Sequence, residues 1–353
     1  MSQQTVFRFP TRTSFSDLTT NKEKIPTPAS HEVLIKVRAV SLNSRDCQIA
    51  TSAYPFPIKD NVIPGSDAAG DIVALGDAVR EFFPDLAEGD RVLTCFDQNR
   101  DYGPAKDVVA FQNGGGRDGV MAQYIVRAAS AVVKVPRGAV QSYSELASLV
   151  CTGVTAWNAL YGNVKLVPGQ AVLVQGTGGT SMTALVLAKA AGATTIVTSS
   201  SETKLAAVRE KVAPDHCINY RTTPDWASEA VRLTGGKGVD HIIEIGGLGT
   251  IEQSIAAVAR GGVISIIGYL AEYDAAKVAD VNIPLLALGK EAVLRGIQIG
   301  PRWMLEELVT FVVRRGLRFQ VDREFAFERE SIVDAYNALA EGKHVGKICV
   351  VVE

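Results

Sequence analysis

The sequence predicts an α/β chain of two domains, one made of many short strands and one an inserted, doubly wound parallel sheet. Three observations carry this. At 353 residues the chain is long for a single core. From Val6 to about Val135 it reads as short runs of strand type bounded by Gly or Asp. Beyond Thr155 strands and helices alternate regularly, the pattern of a parallel sheet covered by helices.

Taken in order, Val6 to Phe9 opens as a strand, and Glu32 to Val40 alternates apolar with polar residues as a half-buried strand should. Gly70–Leu75, Asp90–Cys95, Met121–Val126 and Ala131–Val135 follow, suggesting a barrel-like β domain. Between Phe96 and Asp118 the pattern lapses, and Gly114-Gly115-Gly116 marks a loop. Tyr143 to Leu160 reads as a helix leaving the β domain. Helices over 202–212, 226–233 and 251–259 then alternate with strands over 216–220, 238–246, 262–268 and 292–297. Past Met304 a helix, a strand at Asp322–Phe327, a second helix and a strand at Gly346–Val352 return to the first domain. The expected division is 1–154 with 302–353, and 155–301.

The chain is organised around Pro168 to Lys204. Ala171–Val174 is an unbroken apolar run, as in a strand buried on both faces. Gly176, Thr177, Gly178, Gly179, Thr180 and Ser181 break the pattern; a helix follows, stopped by Gly192, and Thr194–Thr198 is the next strand. Strand, glycine turn, helix and strand form the unit whose turn takes a pyrophosphate, because the first N–H groups of the helix are unpaired and its dipole favours an anion. Ser181 replaces the usual third glycine with another small residue. A ribose with free hydroxyls needs a carboxylate about twenty residues on. Here the second strand ends in Ser199, Ser200 and Ser201, with Lys204 close behind, a set better suited to a 2′-phosphate. NADP(H) is therefore expected over NAD(H), although the serines also suit a helix cap.

Composition narrows the partners. A net charge of −2 speaks against nucleic acid and membrane surfaces, and no apolar run reaches the length of a span. The hydroxyl-rich start with Arg8 and Arg12 faintly suggests a transit peptide, but the strand at Val6 leaves little to cleave. Five cysteines without close spacing suit a reduced, cytoplasmic chain.

Several strings together resemble one family. They are Ser41-Leu42-Asn43-Ser44-Arg45-Asp46, Pro64 to Gly70, Gly89-Asp90-Arg91-Val92, Thr155-Ala156-Trp157, Gln175 to Ser181, Ile218 to Arg221, Gly235 to Asp240 and Gly342 to Ile348. Over nearly its whole length the chain resembles the medium-chain dehydrogenase/reductase superfamily, and within it the zinc-independent, quinone-oxidoreductase-like alcohol dehydrogenases. The resemblance implies a GroES-like β-barrel catalytic domain with an inserted Rossmann domain. It also implies a homodimer; the apolar strand Gly262–Gly268 is expected at the far edge of the sheet, where pairing with its copy would protect it. Where zinc members carry a Cys, a Gly-His-Glu string and a second Cys or acid, this chain has Asn43, Gly65-Ser66-Asp67 and Cys151. One thiolate without an imidazole is not a zinc site, and Cys95 alone cannot hold a structural zinc.

Without a metal, hydrogen-bond donors must stabilise the charge that grows on a carbonyl oxygen during hydride transfer. Asn43 is a candidate amide donor or a turn cap. Arg45 is a candidate at the same position in the family, or a local ion pair with Asp46. Tyr54 lies where relatives carry a tyrosine proton donor, but also fits simple packing before Pro55. The resemblance places Thr152 and Cys151 in the substrate pocket, Thr155 on the nicotinamide carboxamide, and Tyr220 near the adenosine phosphate, although Tyr220 equally suits a rim aromatic. Gly246, Gly247, Ile267, Gly268 and Ile297 end parallel strands at the side where such sheets bind ligands. The expected activity is hydride transfer between NADPH and a small molecule, either a carbonyl/alcohol pair, an enone or a quinone. A biosynthetic enoyl reductase remains an alternative, with Tyr54, Phe56, Phe111 and Trp303 around a large apolar substrate. So does a non-catalytic NADPH-binding module.

Overall fold

A computed structural model describes residues 2–107, 109–271 and 281–353. The chain divides into two units, Met1–Val154 with Gly300–Glu353, and Thr155–Ile299. The first unit holds a seven-stranded sheet in the order Val321–Ala326, Lys347–Val351, Glu32–Ser41, Asp67–Leu75, Arg91–Thr94, Val132–Lys134, with Tyr124–Ala128 pairing off the path onto Glu32–Ser41. A ribbon of Gln3–Arg8 with Thr19–Lys24 lies outside it. Along Glu32–Ser41 the side chains alternate, burying Val33, Ile35 and Val37, until Ala39, beyond which every residue to Asn43 is buried. This strand pairs Ser41 with Asp67 on one side and with Cys349 on the other. That register brings Asn43 beside Ser66–Asp67 and opposite Lys347 before any side chain is considered.

The second unit is a six-stranded sheet in the order His216–Asn219, Thr194–Ser199, Ala171–Gln175, Val239–Glu244, Val258–Ile266, Val293–Gly296, parallel at every pairing. Ala171–Gln175 is buried throughout, as its apolar run requires. The strand order reverses direction beside it, so the glycine turn after Gln175 lies at the switch point where such sheets bind ligands. Helices Gly179–Ala190, Glu202–Lys211, Trp226–Leu233 and Ile251–Ala257 alternate with the strands.

Three expectations change. The strand containing Gly262 is not at the edge: it pairs on one side with Val239–Glu244 and on the other with Val293–Gly296. Its apolar character comes from burial between two strands, which a sequence cannot distinguish from an edge awaiting a partner. The run from Tyr143 is not one α-helix. It breaks into helix Tyr143–Ala147, a π-helical turn Leu149–Gly153 and helix Val154–Tyr161. Helices also form at Ser44–Ala50 and Ile283–Lys290, where no element was expected. The first is only two turns long, too short for a periodic signal.

Candidate active site

In the first unit, the strand register assembles a buried polar chain. The Asn43 amide Nδ2 donates to Asp67 Oδ2 at 2.9 Å and more weakly to Ser66 Oγ at 3.4 Å, and its Oδ1 accepts from Lys347 Nζ at 2.7 Å. Lys347 Nζ also donates to the Leu42 carbonyl. Ser66 Oγ donates to Asp67 Oδ1 at 2.6 Å, and the Cys151 N–H reaches Asp67 Oδ2 at 3.2 Å from the π-helical turn. All four side chains are at least nine-tenths buried. Burial pushes the Asp67 carboxyl up to about 6, against the pull of Lys347 and of the Asn43 and Ser66 hydrogen bonds. The asparagine thus bridges a carboxylate and an ammonium, and both ends of its amide are committed. The expectation that Asn43 donates to a substrate oxygen is corrected on this ground. Thr152 is similarly engaged, its hydroxyl donating to the Ser148 carbonyl at 2.7 Å.

Arg45 lies in the first turn of the helix Ser44–Ala50 and forms no ion pair with Asp46. The Asp46 carboxylate instead accepts the Asn43 N–H at 2.8 Å, closing the first turn of that helix. Arg45 is stacked between Phe96, 4.9 Å from the guanidinium carbon to the ring centre, and Tyr54, at 5.2 Å. Its Nη1 donates to the Asn113 carbonyl at 3.0 Å. Asn113 is fully buried and turns its own amide to the carbonyls of Cys95, at 2.9 Å, and Ser66, at 3.4 Å. It thereby joins the arginine to the buried chain. The glycine run is needed for this: a Cβ on Gly115 would fall 2.2 Å from Arg45 Nη2, and one on Gly114 would fall 2.7 Å from the Gly65 carbonyl oxygen.

The glycine turn of the second unit has the features of a phosphate cradle. Gly176 adopts φ +70° and donates its N–H to the Thr198 carbonyl at 2.8 Å, turning the chain off the strand. Gly178 caps helix Gly179–Ala190 without a side-chain hydrogen bond, leaving the first N–H groups unmatched, and nothing lies within 4 Å of where its Cβ would be. Ser181 is fully buried and donates to the Gln175 carbonyl at 2.6 Å, so this small residue locks the helix to the strand. Thr177 is buried and Thr180 half-buried. At the end of the next strand, Ser199 is buried and its hydroxyl accepts the Ser201 N–H at 3.3 Å. Ser201 caps the following helix by accepting the Lys204 N–H at 3.3 Å. Ser200, Ser201 and Lys204 are half-buried, and Tyr220 is exposed beside them, its N–H on the Ser199 carbonyl at 3.1 Å. Glu202 pairs with Arg209 at 2.6 Å and also accepts a hydrogen bond from Asn219, the residue registered against Ser199.

The remaining loops of that edge are tied by a buried carboxylate that the sequence reading missed. Glu244 accepts from the Gly246 and Gly247 N–H groups at 2.8 and 2.9 Å, from Thr250, from Ser254 and from Gln175 Nε2 at 2.7 Å. Gly247, at φ +72°, packs against Tyr269, and a Cβ on Gly268 would meet the Ile245 carbonyl at 2.8 Å. The Ile297 N–H donates to the Ile266 carbonyl at 2.9 Å, and Thr155 is buried. An acid at the end of a strand run reads as solvated surface, so no local signal marks Glu244. Lys347 falls inside a recognised string, but its partner lies some three hundred residues away in sequence.

The donors around Asn43 do not suit zinc. No three His, Cys, Asp or Glu side chains converge among the described residues. Burial pushes the Cys151 thiol up, away from the thiolate form that zinc binds, and the Lys347 ammonium already occupies the far end of the Asn43 amide.

The pairing of such a β unit with a doubly wound dinucleotide sheet defines an alcohol dehydrogenase-type oxidoreductase. Residues 29–137 match the alcohol dehydrogenase GroES-like domain and residues 179–314 the zinc-binding dehydrogenase domain. A zinc-type alcohol dehydrogenase-like protein of Schizosaccharomyces pombe is 39% identical over 325 residues, covering 91% of each chain. Prostaglandin reductase-3 of Mus musculus is 26% identical over 92% of this chain and 82% of its own. A crystal structure of an alcohol dehydrogenase from Sinorhizobium meliloti 1021 superposes with a TM-score of 0.86 at 34% identity, over 100% of both chains. The chain belongs to the medium-chain dehydrogenase/reductase superfamily, and is an oxidoreductase that uses a nicotinamide cofactor.

Proposed function

We propose that the chain is a zinc-independent, NADPH-dependent reductase of a small molecule carrying a carbonyl, enone or quinone. The observation that carries the reading is the polar chain Lys347–Asn43–Asp67–Ser66, which fills with internal hydrogen bonds the positions that zinc-dependent members use for ligands. When bound, the nicotinamide supplies the hydride. The N–H groups of Gly179 and Thr180 hold the pyrophosphate, with Gly178 leaving room for it. Ser200, Ser201 and Lys204 take the 2′-phosphate, with the Glu202 carboxylate occupied by Arg209 and Asn219. Tyr220 packs at the adenosine end. Thr155, Gly246, Gly247, Ile267, Gly268 and Ile297 line the nicotinamide end, held in place by Glu244. Tyr54, half-buried and next to Arg45, is the proton donor, and Asn43 acts by holding Asp67 and Lys347 in place.

Oxidation of NADPH and NADH by chelator-treated protein tests this against an aldehyde, an enone and a quinone. Turnover that survives chelation and favours NADPH is expected. Activity lost on chelation and restored by zinc refutes the zinc-free reading, and preference for NADH refutes the serine–lysine assignment. Among the described residues no helix is long and apolar enough to cross a membrane; we place the enzyme in the cytoplasm. A homodimer remains part of the proposal, its contact moved to the described edge strand Val293–Gly296.

A further inference from the structure

We infer that Arg45 is a specificity-determining residue that binds a carboxylate on the substrate, so that the preferred acceptor is an oxo acid or enone acid rather than a neutral carbonyl compound. The inference rests on the reductase reading above and adds the substrate's charge to it. Among the described residues Arg45 forms no direct ion pair: the nearest acid, Asp46, feels its charge only through space and is hydrogen-bonded to the Asn43 N–H. Nη1 is satisfied by the Asn113 carbonyl, but Nε and Nη2 are shielded from solvent and have no hydrogen-bond partner. These two nitrogens share one side of the guanidinium and form the fork whose spacing matches the two oxygens of a carboxylate. The rings of Phe96 and Tyr54 lie against the guanidinium but supply no acceptor to these two nitrogens. Two donor nitrogens shielded from water without a partner are costly, and an apolar side chain would fill the same aromatic slot without that cost. The position is also next to the candidate site: Asn113 links it to Ser66, and its charge reaches Cys151. One cover can move. Tyr54 is half-buried within the otherwise exposed run Thr51–Pro57, beside Phe56 at 5.4 Å, whereas Phe96 is buried.

The test compares acetylacrylate with its methyl ester as acceptors for NADPH oxidation, in the wild type, Arg45→Met and Arg45→Lys. The wild type is expected to prefer the acid by at least about tenfold in kcat/KM, and the preference to fall to about one in both variants. Binding is read separately from the melting temperature with levulinate or methyl levulinate: only the acid raises it, and only in the wild type. Equal use of acid and ester by the wild type, or a preference that persists in both variants, overturns the inference. If neither acceptor is reduced, the reductase reading fails, and the levulinate shift still decides the arginine. Arg45→Lys, which keeps the charge and loses the fork, decides it if the methionine variant does not fold.

Discussion

Replacing Lys347 with Met removes the cation bonded to the Asn43 amide and leaves the Leu42 carbonyl and Asn43 Oδ1 without this donor. Breaking a buried charge arrangement from one side costs about 3–5 kcal/mol, since the other charge stays behind. Here that charge is Asp67, whose carboxyl burial already lifts from 3.8 to about 6 while Lys347 holds it down. A group with a raised folded-state value contributes stability that is complete below its unfolded value and is lost as the pH rises through the folded one. Without the ammonium the folded value of Asp67 moves higher, and each further unit extends the loss by about 1.4 kcal/mol at alkaline pH. The deficit of Lys347→Met is therefore smaller at pH about 5 than at pH about 8, and most of its pH-dependent part disappears in Lys347→Met/Asp67→Asn, the remainder being that of Asp46, which Lys347 also holds down. Urea unfolding can follow the first unit alone. Of the three tryptophans only Trp303 belongs to it, so a Trp157→Phe/Trp226→Phe background isolates its signal. A deficit equal at both pH values, or one that keeps its pH dependence in the double variant, refutes the argument.

Gly114→Ala must place a Cβ 2.7 Å from the Gly65 carbonyl at φ +65°; a loss of about 2 kcal/mol or more is expected in the same urea assay, and a loss under 0.5 kcal/mol counts against the packing. Glu244→Gln sets an NH2 group against donors whichever way the amide is turned, because both carboxylate oxygens already accept hydrogen bonds. It should weaken NADPH binding, read by fluorescence titration, and cost about 1–3 kcal/mol of stability. Ser200→Asp puts a negative charge at the proposed 2′-phosphate and should raise KM for NADPH about tenfold or more while leaving NADH much less affected. Equal effects on the two cofactors would move the phosphate elsewhere.

What the sequence determined by itself is local and periodic. The apolar run Ala171–Val174, the glycine turn and the helix after it each follow from propensity and burial, and the parallel sheet follows from their alternation. Ser181 stood out only as a small residue in place of a third glycine, whereas its bond to the Gln175 carbonyl came with the fold. The substrate side was only half legible. Asn43, Ser66 and Asp67 stood out by their positions in a family pattern, but their chemistry did not, because it depends on what lies across the sheet. Strand register, fixed by the burial of alternate side chains, brings Lys347 from the far end of the chain onto Asn43 and turns a supposed oxyanion donor into a bridge between charges. The same holds for Arg45, whose sequence neighbour is an acid but whose folded neighbours are two rings and a carbonyl. It holds too for the strand Val258–Ile266, whose apolar face was read as an edge until Val293–Gly296 was seen beside it. A sequence shows which groups are present and how they repeat. Which of them are buried together, and which lose their partners on burial, is decided by contacts between distant segments.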